Sequence, residues 1–94
     1  MTPEAKVKKK VVQLLKQYEA YFFYPVTGGY GRSGVPDIIV CHKGRFIGIE
    51  CKAGSNKPTA LQEKNLRDIE AADGISMVVN EDNIASVEET LQKL

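Results

Sequence analysis

The sequence lacks any run of 18 apolar residues, so no segment of it could cross a bilayer as a single helix. Its first ten residues, MTPEAKVKKK, bring lysines without the apolar stretch of a secretory leader, and an intracellular, cytoplasmic protein is the expectation. Histidine occurs once, at position 42, and cysteine twice, at 41 and 51, and no convincing Ser/His/Asp or Cys/His nucleophilic set can be assembled from them. There is no internal repeat, low-complexity tract or long linker. With 94 residues the chain can build one core and not two, which predicts a single domain over 1–94. Net charge is only +1, but the charge is unevenly placed. Residues 1–57 hold ten Lys/Arg against four Asp/Glu, and residues 58–94 hold three against eight. The basic part suits a polyanion partner, although Lys6, Lys8, Lys9, Lys10 and Lys16 could equally just solvate a helix face.

Hydrophobic periodicity predicts the order α-β-β-β-α-β-α. Thr2-Pro3 reads as a helix N-cap followed by proline at the first helical position, and Val7, Val11, Leu14, Leu15 and Tyr18 form an apolar stripe behind it. YFFYPV, from Tyr21 to Val26, is a β-prone run that Pro25 confines to an exposed or terminal strand. VPDIIVCH and RFIGIECK flank Lys43-Gly44 as the two arms of a hairpin. Thr59 opens a second helix that runs to about Asp73 and is closed by Gly74, and ISMVVN follows as a strand. A last helix carries Ile84, Val87, Leu91 and Leu94 on one stripe. Strand, helix, strand over 45–80 is a crossover unit, so the fourth strand should run parallel to the third in a mixed four-stranded sheet. The fold class expected is α/β.

The stretch GYGRSG, Gly29–Gly34, contains G-x-G-x-x-G. A dinucleotide-binding loop needs a helix after those glycines to supply amides and dipole to a pyrophosphate. Here Val35-Pro36 and a β-branched strand follow, so the match is a decoy. Tyr30 and Arg32 could offer a bound partner a stacking face and a cation, with Ser33 beside them, unless the loop is simply a connector.

The hairpin carries the more specific signal. A two-residue turn at Lys43-Gly44 pairs His42 with Arg45 and sets Asp37 opposite Glu50, on one face, with Cβ atoms about 4.5–5.5 Å apart. Like charges that close are destabilising unless a cation sits between them. The register has independent support, because it gathers Ile38, Val40, Ile47 and Ile49 on one wholly apolar face. The other face carries Asp37, Ile39, Cys41, Phe46, Gly48, Glu50 and Lys52, with two acids and an amine converging at one end. Hard oxygen donors of this kind select Mg2+ or Mn2+ over structural zinc. Cys41 and Cys51 fall on opposite faces, which argues against a disulfide, and His42 at the turn is expected to be exposed. Glu4 falls within the apolar arc of the first helix and is expected to point inward, unless it only complements the helix dipole. Gln62 likewise falls in the inward arc of Leu61, Leu66, Ile69 and Ala72. The alternative for Gln62 is a capping box with Thr59, and spacing does not separate the two.

Val35-Pro36-Asp37, then twelve residues, then Glu50-Cys51-Lys52, resembles the PD-(D/E)-x-K nuclease signature in its E-x-K form. Its setting on a hairpin, with Glu4 before it and Gln62 after it, is similar to the VRR-NUC group in the compact, stand-alone form known from phages and bacteria. The resemblance runs from Glu4 to about Val79. It implies a restriction-endonuclease-like core and a metal held by Asp37, Glu50 and the Cys51 carbonyl, with Glu4 acting directly or through water. It implies further that Lys52 orients or deprotonates the attacking water and that Gln62 steadies the site. Homodimers active on branched DNA such as four-way junctions are the implied assembly and substrate. Lys57 joins Tyr30, Arg32 and Ser33 as a candidate substrate contact. Two other readings compete: a catalytically silent domain that binds nucleic acid, disfavoured by the intact acid, acid, lysine set, and a purely structural dimerisation domain, disfavoured by the charge asymmetry and the inward-facing acids.

Overall fold

Thr2 starts the first helix as read from the sequence: its Oγ1 accepts the amide of Ala5 at 3.1 Å, and Pro3 occupies the first turn. The computed structural model describes residues 1–26 and 31–94. They form α1 (Pro3–Gln17), β1 (Tyr21–Phe23), β2 (Ile38–His42), β3 (Arg45–Cys51), α2 (Ala60–Ala71), β4 (Ile75–Val79) and α3 (Ala85–Lys93). The sheet order is β1-β2-β3-β4; the first two pairings are antiparallel and β3 with β4 is parallel. The parallel pairing follows from the α2 crossover, which returns the chain to the end of the sheet where β3 began.

Alternation along the hairpin divides the sheet's two faces. Ile38, Val40, Ile47, Ile49 and Cys51 are buried beneath Val7, Val11 and Leu15 of α1 and Val87 and Leu91 of α3, and this is the main core. Burying each such aliphatic side chain contributes about 1.5–3 kcal/mol. On the opposite face α2 sits against β3 and β4. Gly48 makes that approach possible, since a Cβ there would meet Ile69 Cδ1 at 2.6 Å and Pro36 Cγ at 2.9 Å.

α2 covers only part of its face. Tyr21, Phe23, Cys41 and Phe46, toward β1 and the turn, remain exposed. β1 ends just before Pro25, in keeping with an edge strand, and Lys8 Nζ stands 4.4 Å from the centre of the Tyr24 ring.

His42 corrects an expectation. It is buried, 7% exposed, because it shares the parity of Ile38 and Val40 and so lies on the covered face. Position beside a turn does not expose a residue whose side chain points into a core.

Candidate active site

Lys43 and Gly44 both adopt positive φ, 53° and 78°, the requirement of a two-residue turn whose twist matches its strands. That turn pairs His42 with Arg45 and, at the far end, Ile38 with Ile49. Asp37, one residue before β2, therefore meets Glu50, one residue before the end of β3. The amide of Asp37 donates to Glu50 Oε1 at 3.2 Å, and the amide of Cys51 donates to Asp37 Oδ2 at 2.9 Å. Lys52 follows on the same strand direction, its Nζ 3.4 Å from Glu50 Oε2. β4 holds this end of β3 from the other side through the bond from Lys52 N–H to the Val79 carbonyl, 2.9 Å.

The environment of Glu50 is unusual for a carboxylate. It is only 2% exposed, and burial, with the Asp37 charge as the second cause, raises its pKa from 4.5 to about 7. Lys52 and the Asp37 amide pull the other way without prevailing. The Cys51 thiol is pushed up to about 12 by burial, then by Asp37 and Glu50, so it is a protonated, inert thiol. Lys8 and Glu4 also act through space on that thiol, which puts the first turns of α1 near the same end of the sheet. Both cysteines are free.

Among the remaining candidates, Glu4 is exposed and does not point into the core, whose first α1 member is Val7. It sits in the first helical turn, where an acid complements the dipole. Gln62 forms the capping box: its Oε1 accepts the Thr59 amide at 2.9 Å and its own amide donates to Thr59 Oγ1 at 3.2 Å. Arg32 is ion-paired to Asp68 of α2, with Lys64 on the same carboxylate at 2.9 Å. Ser33 and Lys57 are exposed. Tyr30 lies outside the described residues. No helix stands between Gly34 and β2, as a dinucleotide loop would require.

Asn65 is a buried tether that sequence reasoning did not single out. Only 5% exposed, it donates from Nδ2 to the Ser33 carbonyl at 3.1 Å and to the Leu61 carbonyl at 3.0 Å, tying the segment ahead of Asp37 to α2. Leu61, expected inside, is about half exposed, and Asn65 takes the inward position. A signal was present: Asn65 stands four residues from both Leu61 and Ile69, in the middle of their stripe.

The donors present fit a divalent ion. A buried carboxyl faces a second carboxylate with one ammonium for compensation, so a hard cation between them would relieve both the desolvation and the repulsion. Among the described residues no three His/Cys/Asp/Glu side chains cluster closely enough to hold a metal. Two carboxylates suffice for Mg2+, which keeps several waters and takes substrate phosphate oxygens as further ligands.

No family model matches the sequence, and no curated protein matches it. Among solved structures, a VRR_NUC domain protein superposes with a TM-score of 0.75 over 98% of this chain and 89% of that chain, at 20% identity. The correspondence spans the α-β-β-β-α-β-α order from end to end. The chain thus shares the fold of that VRR_NUC domain protein, an α/β fold with a mixed four-stranded sheet.

Proposed function

We propose that residues 1–94 form a DNA endonuclease dependent on Mg2+ or Mn2+, selective for branched DNA such as four-way junctions and active as a homodimer. The observation that carries this reading is the meeting of Asp37 and Glu50 across the hairpin with Lys52 at 3.4 Å from Glu50. Asp37, Glu50 and the Cys51 carbonyl would hold the ion, with Glu4 reaching it through water. Such an ion supplies Lewis acidity, offsetting phosphodiester charge and making water at the site more acidic.

The chain's own groups do the rest. Lys52 orients the attacking water, takes its proton, or balances the charge that develops on the phosphorus oxygens. Gln62, with its Oε1 engaged by the Thr59 amide, has its Nε2 group left with which to steady the site from the helix side. Glu50, held by the Asp37 amide, keeps one oxygen toward Lys52 and one toward the backbone. Cutting a two-fold symmetric junction on both sides requires two such sites, which is the reason for a dimer.

The test is incubation with linear, flapped and four-way DNA, with and without Mg2+ or Mn2+. Metal-dependent nicking, strongest on the branched substrate and abolished in Asp37→Ala and Lys52→Ala, is expected. Cleavage that persists in EDTA and in Asp37→Ala would overturn the metal mechanism. Light scattering that finds only a 10.4 kDa species at assay concentration would remove the junction-resolving form and leave simple nuclease activity.

A further inference from the structure

Beyond Lys52 the chain does not enter α2 directly. Ala53, Gly54 and Asn56 line a cleft of about 510 Å3 whose other wall is the first half of α1, with Lys6 and Lys10 one turn apart, and the start of the segment before α3, with Glu81. The cleft therefore opens at the carboxyl end of β3, one residue past the lysine of the proposed site. Among the described residues neither Lys6 nor Lys10 belongs to an ion pair, although three other cations do. Glu81 is the one acid in the lining, and its Oε1 is engaged by the Gly54 amide at 2.7 Å, where it holds the loop in place. Gly54 has φ 59° and nothing within 4 Å of where a Cβ would stand, so the floor of the cleft is open to close approach.

We infer that this cleft is a phosphate-binding track. It holds a backbone phosphate of the DNA strand a short distance from the scissile one, with Lys6 and Lys10 as its cations. The inference rests on the proposed nuclease reading and adds where the substrate strand runs. The occupant is DNA backbone because Lys6 and Lys10, neither of them in an ion pair among the described residues, line a cleft whose wall begins at Ala53, the residue after Lys52. A neutral or basic partner surface would leave those charges to be desolvated without an anion. The excess of positive charge in residues 1–57 is thereby given a place: α1 presents part of it along the path of the strand.

The experiment measures binding of labelled four-way and duplex DNA by the full chain in EDTA over a series of salt concentrations, and cleavage kinetics in Mg2+. Wild type is compared with the Lys6→Ala/Lys10→Ala double variant and with Lys9→Ala/Lys16→Ala, which removes the same charge from α1 outside the cleft. The cleft variant is expected to bind on the order of tenfold more weakly, with the slope of log K against log salt reduced by about 0.9 per lysine on duplex DNA. KM should rise while kcat stays within about twofold, and Lys6→Arg/Lys10→Arg should restore binding. Equal losses in the two double variants would mean a diffuse field and overturn the cleft, as would an unaffected cleft variant in a protein that still cleaves. Failure of the wild type to bind or cut any DNA overturns the nuclease reading together with it.

Discussion

Asp37 and Glu50 are each oriented by the backbone of the strand that carries the other: the Asp37 amide donates to Glu50 Oε1 at 3.2 Å, and Asp37 Oδ2 accepts the Cys51 amide at 2.9 Å. The carboxylates are thus fixed by main chain before any ligand arrives, which would preorganise the proposed cation site. Asp37→Asn keeps an acceptor for the Cys51 amide and removes one charge. It should fold normally and lose at least about 100-fold in metal-dependent cleavage, measured beside a thermal melt. Asp37→Ala also leaves the Cys51 amide without its partner and should cost a further ~1–3 kcal/mol of stability.

The metal-free protein should be less stable at pH 8 than at pH 5. Glu50 has its folded-state pKa raised from 4.5 to about 7, chiefly by burial and then by Asp37. Between those values the folded protein keeps a proton that the unfolded chain has released. Stability is therefore full below pH 4.5, falls as pH rises to about 7 and levels off above it, a loss of about 3 kcal/mol. Melts in EDTA should show Tm falling by on the order of ten degrees across that window. Glu50→Gln should flatten the profile, and Mg2+ at pH 8 should recover much of the loss in the wild type.

The site was legible where local chemistry and long-range geometry coincide. Lys43-Gly44 specifies a turn, alternation specifies the faces, and together they bring Asp37 to Glu50 without knowledge of any helix. The crossover over 45–80 was readable for the same reason. Residues whose placement depends on packing between elements were less readable. Glu4 lies on the apolar arc of α1, yet the packed stretch of that helix starts only at Val7, so the arc does not predict its burial. Asn65 takes the inward position expected of Leu61 because α2 is positioned by Gly48 and by the segment near Ser33, contacts that no helical period contains. The pairing of Arg32 with Asp68 spans 36 positions and has no local signature.

Asn65 should matter more to activity than its distance from the motif suggests. Its amide holds the Ser33 carbonyl and so the segment that leads through Pro36 to Asp37. Asn65→Leu removes that tether and leaves the Ser33 carbonyl without this donor. A loss of about 1–3 kcal/mol is expected in denaturant melts. Cleavage at a temperature where the variant is still folded should fall several-fold, with kcat affected more than KM. Full activity in a destabilised variant would show that the tether serves folding alone.

The two thiols should differ sharply in reactivity. Cys41 is exposed and Cys51 is buried, with the Cys51 pKa pushed up to about 12 by burial and the neighbouring carboxylates. Treatment of the native protein with a thiol reagent at pH 8 should modify one cysteine, identified as Cys41 by mass spectrometry, and denaturation should release the second. Rapid labelling of Cys51 in the native state would mean that the end of β3 opens readily, which is incompatible with a preorganised site.

Lys52 serves two partners, and its variants should separate them. Its ammonium lies 3.4 Å from Glu50 Oε2 and is largely covered, so it opposes the rise of the Glu50 pKa in the folded protein. In the proposed reaction the same group faces the water or the phosphorane. Lys52→Ala should therefore extend the pH-dependent loss of stability to pH values above 7 in EDTA, while cleavage in saturating Mg2+ falls by on the order of 100-fold or more. Lys52→Arg keeps the charge near Glu50 and should restore most of the stability profile. Arginine cannot exchange a proton near neutral pH, so if Lys52 acts as the base, cleavage stays low in this variant; if it acts only through charge, cleavage returns substantially. Binding of DNA in EDTA should change little in either variant, which assigns the effect to the chemical step.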